Sequence, residues 1–367
     1  VNIAKIEPIA VSLPMVKPVI MAGEEVRRAD NVLVRIEADI GLVGWGEAAA
    51  APTMTGETSA GMVAAVRHLT PALAGRPAED IGGALLAMDG RMYGNHGAKA
   101  AIEIALHDLV GRATGRPVHA LLGDRLRGRT AILGVIGGGD REGDLRDAER
   151  KKADGFTLFK IKVGVDAPER DAERTREICK RLGTDVLISA DANQGFSTVD
   201  AIAFVRAVAT TGLGFFEQPV AADDLAGMAA VAAASAIAIG ADEGIHSLHD
   251  IRRHHESNAA RGVSLKAIKL GGLRAVVDAA RLCDRLGMQV NISCKTGETS
   301  VACAAALHVA AVVPQIAWGL TLTNAGLCDD VTPHPVRIDR GHADVLDRPG
   351  LGVEVDENRV RHHRAEI

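Results

Sequence analysis

From Arg129 onward, short apolar runs alternate with stretches of helical periodicity, and this alternation narrows the possible folds more than any other feature of the chain. The runs fall at 131–136, 158–163, 186–191, 214–217, 236–242, 265–270, 289–293 and 315–320. Helical stretches fall between them at 168–182, 197–210, 224–234, 247–255, 272–286 and 300–313. Parallel strands need a crossover, which a helix supplies, so the pattern predicts an α/β fold: a (β/α)7–8 barrel of the TIM type.

Upstream the pattern differs. Residues 3–13, 31–38 and 42–47 alternate as strands, turning at Asp39-Ile40-Gly41, while 62–73, 81–88 and 98–114 are helical. Strands first and helices second make a small α+β unit. Residues 334–362 return to turn-rich, strand-like sequence around Pro335, Pro349, Gly350 and Gly352. The expected organisation is an α+β capping domain at 1–125, a catalytic barrel at 126–325, and a C-terminal return at 326–367 that packs on the cap.

Composition closes several other readings. Only 2% of the 367 residues are aromatic, so the core is built from Ala, Val, Leu and Ile, and no stacking platform for nucleic acid is available. The net charge of -5, with both signs mixed along the chain, argues against a nucleic-acid or membrane-surface partner. The five cysteines are scattered without a CxxC pair, which fits a reducing compartment rather than a disulfide frame or structural zinc site. No signal-peptide pattern opens the sequence and no apolar run is long enough to span a bilayer, so a cytoplasmic location is expected.

In such a barrel the reactive groups stand at the C-terminal ends of the strands. The second strand ends in Lys160-Ile161-Lys162, whose two lysines share a face because strand side chains alternate. Asp191, Glu217 and Asp242 end the third, fourth and fifth, and Lys266 belongs to the sixth, with Lys269 three residues on. Three carboxylates converging without partners would repel and raise each other's pKa. A hard divalent cation resolves that, and Mg2+ suits an all-oxygen set best, with Mn2+ as the alternative. A small carboxylate substrate on that cation would hold its α-carbon between lysines from the second and sixth strands. The cation would stabilise the enediolate formed as the α-proton leaves.

Five motifs occur in this order: Lys-x-Lys, Asp-x-Asn, Glu-Gln-Pro, Ala-Asp-Glu and Lys-x4-Gly-Gly. Together they resemble the enolase superfamily, in the muconate lactonizing enzyme subgroup of the mandelate racemase/muconate lactonizing enzyme family, over nearly the whole length. The resemblance implies Asp191, Glu217 and Asp242 as Mg2+ ligands and Lys162 as acid/base on one face. Lys160 beside it would tune the charge and contact the substrate carboxylate, and Lys266 would serve the opposite face. Lys269 is a second candidate, set aside because strand alternation sends it to the other side. Glu298 matches a position near the seventh strand where subgroup members place an acidic residue. Family members often form dimers to octamers, so a homo-oligomer is expected.

Other residues are open to two readings. Asn193 and Glu243 flank the ligands and either orient them or are solvated polar groups at strand ends. Met21, Gly23, Thr53, Met54 and Thr55 fall where the family's two specificity loops lie. Ser293, Lys295, Thr321 and Thr323 sit at the seventh and eighth strand ends as pocket-lining candidates. Lys295 serves either a second substrate charge or an ordinary ion pair. Cys294 reads as packing, His96 and His107 as surface or satisfied core groups, and Gly137-Gly138-Gly139 as room for the substrate. Dipeptide epimerases carry Asp-x-Asp at the eighth strand, where this chain has Thr321-Leu322-Thr323. The histidine–aspartate pair of mandelate racemase is replaced by Lys266. What remains is proton abstraction α to a carboxylate by a two-lysine site, giving a cycloisomerase, racemase or epimerase. The alternatives are a dehydratase or succinylbenzoate-synthase-like lyase on the same scaffold, or a catalytically silent binding barrel.

Overall fold

The computed structural model describes residues 1–21, 24–137 and 140–367. The chain opens with strands β1 (Ile3–Met21), β2 (Glu24–Ala38) and β3 (Val43–Ala49), an antiparallel sheet in that order. Helices α1 (Ser59–Leu73), α2 (Ile81–Arg91), α3 (His96–Thr114) and the short α4 (His119–Leu122) follow. Every residue of α3 from Gly97 to Gly111 is buried, because the helix lies between the cap sheet and the barrel. Gly44 and Gly46 permit its close approach to β3: a Cβ on Gly46 would lie 1.9 Å from the Ala101 carbonyl oxygen.

Next come β4 (Arg129–Ala131), β5 (Leu133–Ile136), α5 (Arg141–Ala153), β6 (Leu158–Lys162), α6 (Pro168–Leu182), β7 (Leu187–Asp191) and α7 (Thr198–Ala207). The alternation continues with β8 (Phe215–Glu217), α8 (Leu225–Ala233), β9 (Ala238–Ala241), α9 (Leu248–Glu256) and β10 (Gly262–Leu265). It ends with α10 (Ala267–Leu270), α11 (Leu273–Arg285), β11 (Gln289–Ser293), α12 (Ser300–Val312) and β12 (Leu320–Thr321). Strands β5 to β12 form one eight-stranded parallel sheet in chain order, and an Ile132–Leu320 bridge joins its two ends. The expected TIM-type barrel is therefore present. Four of its helices start where a short oxygen-bearing side chain caps the first turn: Asp140, Ser197, Asp224 and Ser247 each accept an N–H three residues on.

Two expected strands differ. Residues 131–136 split: β4 leaves the barrel to pair with β13 (His342–Asp344) of the tail, while Leu133–Ile136 stay in it. The sixth strand lies at Gly262–Leu265 rather than 265–270, and the chain turns helical immediately after Lys266. The tail ends in α13 (Glu357–His362) and then crosses β1 of the cap. There Ser12 donates to the His363 carbonyl and Ala365 to that of Ala10, both at 2.9 Å.

Inside the barrel, Phe215 stacks on Trp318 at 3.9 Å between ring centroids. This apolar floor lies one layer below Lys162, Asp191 and Glu217, which stand opposite one another in register. No helix among the described residues is long and apolar enough to cross a membrane.

Candidate active site

Strand register places the charged row. Because Lys162 faces Asp191 and Asp191 faces Glu217 across neighbouring strands, their side chains rise on the same inner face. Lys160, one layer down, is buried and reaches upward between two carboxylates: its Nζ lies 2.6 Å from Glu217 Oε2 and 3.7 Å from Asp191 Oδ2. Burial opposes its charge, but Glu217 and Asp191 outweigh that and hold the Lys160 pKa above its ordinary value. Lys162 donates to Asp191 Oδ2 at 2.7 Å and to Asn193 Oδ1 at 2.5 Å, and is less deeply buried.

The opposite flank is built differently. Lys266 caps the short helix that follows β10, and its amine donates to Asp242 Oδ2. One helical turn returns Lys269 to the same carboxylate, where its amine donates to Asp242 Oδ1 at 2.6 Å and to the Ser264 carbonyl at 2.9 Å. The sequence argument that sent Lys269 to the other face assumed a continuing strand, and the turn overrules it. Lys269 is completely buried, however, and it is Lys266 that lines the cavity. Burial pushes the Lys269 pKa down; it also opposes the Lys266 charge, but Asp242 prevails there and raises that pKa.

The carboxylates respond to these partners. Burial works against both Asp191 and Asp242, yet their lysines hold each below the usual carboxylate range. Glu217 Oε2 meets the Lys160 amine while its Oε1 has no hydrogen bond, and burial pushes its pKa up. Glu243 is also buried and pushed up to about 7, first by burial and then by Asp242; its Oε1 accepts from Asn193 Nδ2 at 2.9 Å. Asn193 and Glu243 are thus tied to each other and, through Lys162, to Asp191.

Three residues just beyond the carboxylate strands, Asn193, Gln194 and Gln218, have φ of 43°, 70° and 35°. Such left-handed backbone is costly for residues with side chains and persists where surroundings fix it. Gln218 shows how: its buried Oε1 accepts the Asp242 N–H at 2.9 Å and the Gly244 N–H at 3.2 Å. This glutamine stands inside the Glu-Gln-Pro motif, and its part in setting the neighbouring strand end was not read from sequence.

A cavity of about 970 Å3 opens above the row and continues past β5 along α5 to the tail residues Ile338, Asp339 and Arg340. Its inner wall carries Lys160, Lys162, Asp191, Asn193, Asp242 and Lys266, and its outer wall Ser293, Lys295, Thr321 and Thr323. The cap contributes Met15, Lys17 and Met54. Thr53 is exposed and Thr55 bonds within its own turn, so of those three loop candidates Met54 is the one on the cavity. Gly23 lies outside the described residues, as do the Met21 side chain and Gly138 and Gly139. Glu298 is buried behind the wall, its Oε2 accepting the Lys295 N–H at 2.9 Å, and burial pushes it up to about 7. His107 is a core group on the Glu103 carbonyl, whereas His96 Nδ1 lies 2.6 Å from the Lys269 carbonyl oxygen and ties the cap to that flank.

The donor set suits an oxygen-seeking divalent cation: three buried carboxylates on adjacent strands, with Glu217 Oε1 lacking a hydrogen bond. As the side chains stand, lysine amines take the facing oxygens. Among the described residues no group of three His, Cys, Asp or Glu side chains is drawn together tightly enough to hold an ion.

Comparison with known proteins decides the family. Residues 5–123 match the mandelate racemase/muconate lactonizing enzyme N-terminal domain, and 144–359 match the enolase C-terminal domain-like family. The chain belongs to the mandelate racemase/muconate lactonizing enzyme family. It is 30% identical to an N-succinyl-L-Arg/Lys racemase of Bacillus cereus, covering 98% of this chain and 97% of that one. It is 33% identical to an L-Ala-D/L-Glu epimerase of Clostridium acetobutylicum, covering 94% and 96% respectively. The crystal structure of a muconate lactonizing enzyme from Pseudomonas fluorescens complexed with muconolactone superposes with a TM-score of 0.95, at 29% identity over 99% of both chains. Relatives named racemase, epimerase and cycloisomerase are all isomerases, and the chain is an isomerase of the enolase superfamily. Enzymes of this family are generally metal-dependent.

Proposed function

We propose that this isomerase removes the proton α to the carboxylate of a small substrate, using Lys162 and Lys266 as the two acid/base groups. The observation that carries the reading is positional. β6 and β10 are four strands apart in an eight-stranded ring, so their amines enter one cavity from opposed sides. Lys162 takes a proton from one face of the α-carbon, and Lys266 delivers one to the other, or the reverse. Lys160, buried beneath, keeps a positive charge facing the row. Asp191, Glu217 and Asp242 would hold Mg2+, which when bound supplies a charge sink for the substrate carboxylate as the proton leaves. The apolar floor and the cap residues Met15 and Met54 screen the α-carbon from water.

The outer wall bears on the substrate. Thr321 and Thr323 carry no charge, and the Thr323 hydroxyl donates to the Lys295 carbonyl at 2.8 Å. That wall therefore offers no carboxylate pair to a substrate ammonium, which favours an N-acylated or lactone-forming acid over a free dipeptide.

The test is solvent exchange. With Mg2+ in deuterated water, the protein should exchange the α-hydrogen of N-succinyl-L-arginine or of muconolactone, followed by proton NMR, and chelation should stop it. Asp191→Asn should weaken Mg2+ binding measured by calorimetry. Absence of exchange across such acids, with unchanged metal affinity in the variant, would refute the assignment.

A further inference from the structure

Lys162 is the last residue of β6 and pairs with Asp191 of β7. On the other side, among the described residues, the register between β5 and β6 runs to the Ile136–Ile161 pair. Side chains of α6 also reach this strand end. Arg174, on α6, donates through Nη2 to the Lys162 carbonyl and to Asp171 Oδ1 at 3.0 Å. Its Nη1 donates to Asp144 Oδ2, on α5, at 2.6 Å. The other oxygen of Asp171 accepts the Gly164 N–H at 2.7 Å. Both peptide groups flanking Val163 are therefore tied to α6, one through Arg174 and one through Asp171.

The setting makes these contacts strong. Asp144 and Asp171 are buried, and the Arg174 side chain is only 18% exposed. An arginine is suited to the task because its rigid planar fork spreads its donors in fixed directions toward three acceptors on three elements, whereas a lysine presents all its donors from one nitrogen. The β10 flank is held differently: among the described residues the Lys266 carbonyl accepts only the local N–H groups of Lys269 and Leu270, at 3.2 Å.

We infer that the Asp144–Arg174–Asp171 cluster is a positioning device for Lys162, fixing the strand end from which its amine reaches the substrate. The inference rests on the reading of Lys162 as one of two bases. The competing account is that Arg174 merely ties α5 to α6.

The two accounts separate in an enzyme with two faces. N-succinyl-L-arginine and N-succinyl-D-arginine present their α-hydrogens to opposite amines, so exchange of each in deuterated water reports one lysine. In Arg174→Met, exchange of one enantiomer should fall about a hundredfold, the loss that follows from displacing a reacting group by roughly 1 Å. The other enantiomer should stay within about threefold, with KM for both little changed, and Arg174→Lys should restore part of the loss. Equal losses for both enantiomers, or none for either, would overturn the proposal. A second measurement does not depend on turnover: amide hydrogen exchange in the same protein. Deprotection at 162–165 in Arg174→Met, with β10 and β11 unchanged, supports the device; unchanged protection there sinks it. If the wild-type protein exchanges neither enantiomer, the functional reading fails on its own, and the amide data still decide whether Arg174 holds the Lys162 strand end.

Discussion

On the β6 flank the two lysines lie two residues apart on a strand, and both side chains rise on the inner face. On the β10 flank they lie three apart, and a single helical turn brings the second back to the carboxylate its neighbour already touches. Each flank nonetheless brings two amines against the carboxylate row, with Lys160 and Lys269 the more deeply buried of each pair. The arrangement shows that the requirement is a charge pattern, and that either backbone periodicity can satisfy it once the surroundings hold the strand end. What holds each end differs. Side chains from α5 and α6 grip the first, and the cap grips the second through His96 on the Lys269 carbonyl.

The largest expected effect tests whether the two cavity-facing amines are equivalent. Lys162→Met and Lys266→Met should each lower racemisation or cycloisomerisation at least about a thousandfold, within the range for loss of a general acid/base. Each should keep α-hydrogen exchange for the one enantiomer that the surviving lysine serves. If either variant loses exchange for both enantiomers alike, the flanks do not divide the work by face.

Much of this geometry was legible in the sequence, and the exceptions share a cause. Period-two alternation put Lys160 and Lys162 on one face, and neighbouring strand ends put Asp191 beside Glu217, because parallel register is regular. The same rule failed at Lys269, since periodicity over six residues cannot tell a strand from a strand that ends in a turn. The β4–β5 split was hidden similarly: 131–136 is uniformly apolar apart from Gly134, and only pairing with the distant tail reveals that Ala131 leaves the barrel. Gln218 stood inside a recognised motif, but its bonds to the next strand end were not legible there, and nothing in the sequence singled out Arg174. Barrel order places their elements side by side without saying which side chains bridge them, and an amphipathic helix explains Arg174 well enough.

The fully buried Lys269 should show the opposite signature to the partly exposed Lys162. Lys269→Met strips one ion-pair partner from Asp242 and leaves the Ser264 carbonyl without a donor, so it should cost about 3 kcal/mol in urea unfolding, the usual scale for a broken buried pair. Lys162→Met should cost less than that, because Asp191 keeps its contact with the Lys160 amine. Equal losses would mean that the division into supporting and working lysines is wrong.

Gln218→Leu sharpens the comparison from between the flanks. It removes the acceptor for the Asp242 and Gly244 N–H groups, so a stability loss of about 2 kcal/mol is expected from two buried donors left unpaired. Because those donors belong to the loop carrying Asp242, Mg2+ affinity should fall with it, while amide protection around Lys162 stays as in the wild type. Weakened protection on the β6 side would show that the two flanks are mechanically coupled through this residue.

The smallest expected effect lies at Gly137, where the chain leaves β5 beside the Lys162 side chain. A Cβ there would stand 2.7 Å from Lys162 Cβ, and the φ of 144° disfavours any side chain. Gly137→Ala should therefore push against the Lys162 side chain without removing any charge or side-chain hydrogen bond. About a tenfold loss of exchange is expected for the enantiomer that Lys162 serves, equivalent to ~1.4 kcal/mol of barrier. The other enantiomer should exchange at the wild-type rate, because Lys266 lies across the ring. A symmetric loss in the two enantiomers would instead trace the effect to the cavity as a whole, and the contrast between a clamped β6 end and a cap-held β10 end would have to be given up.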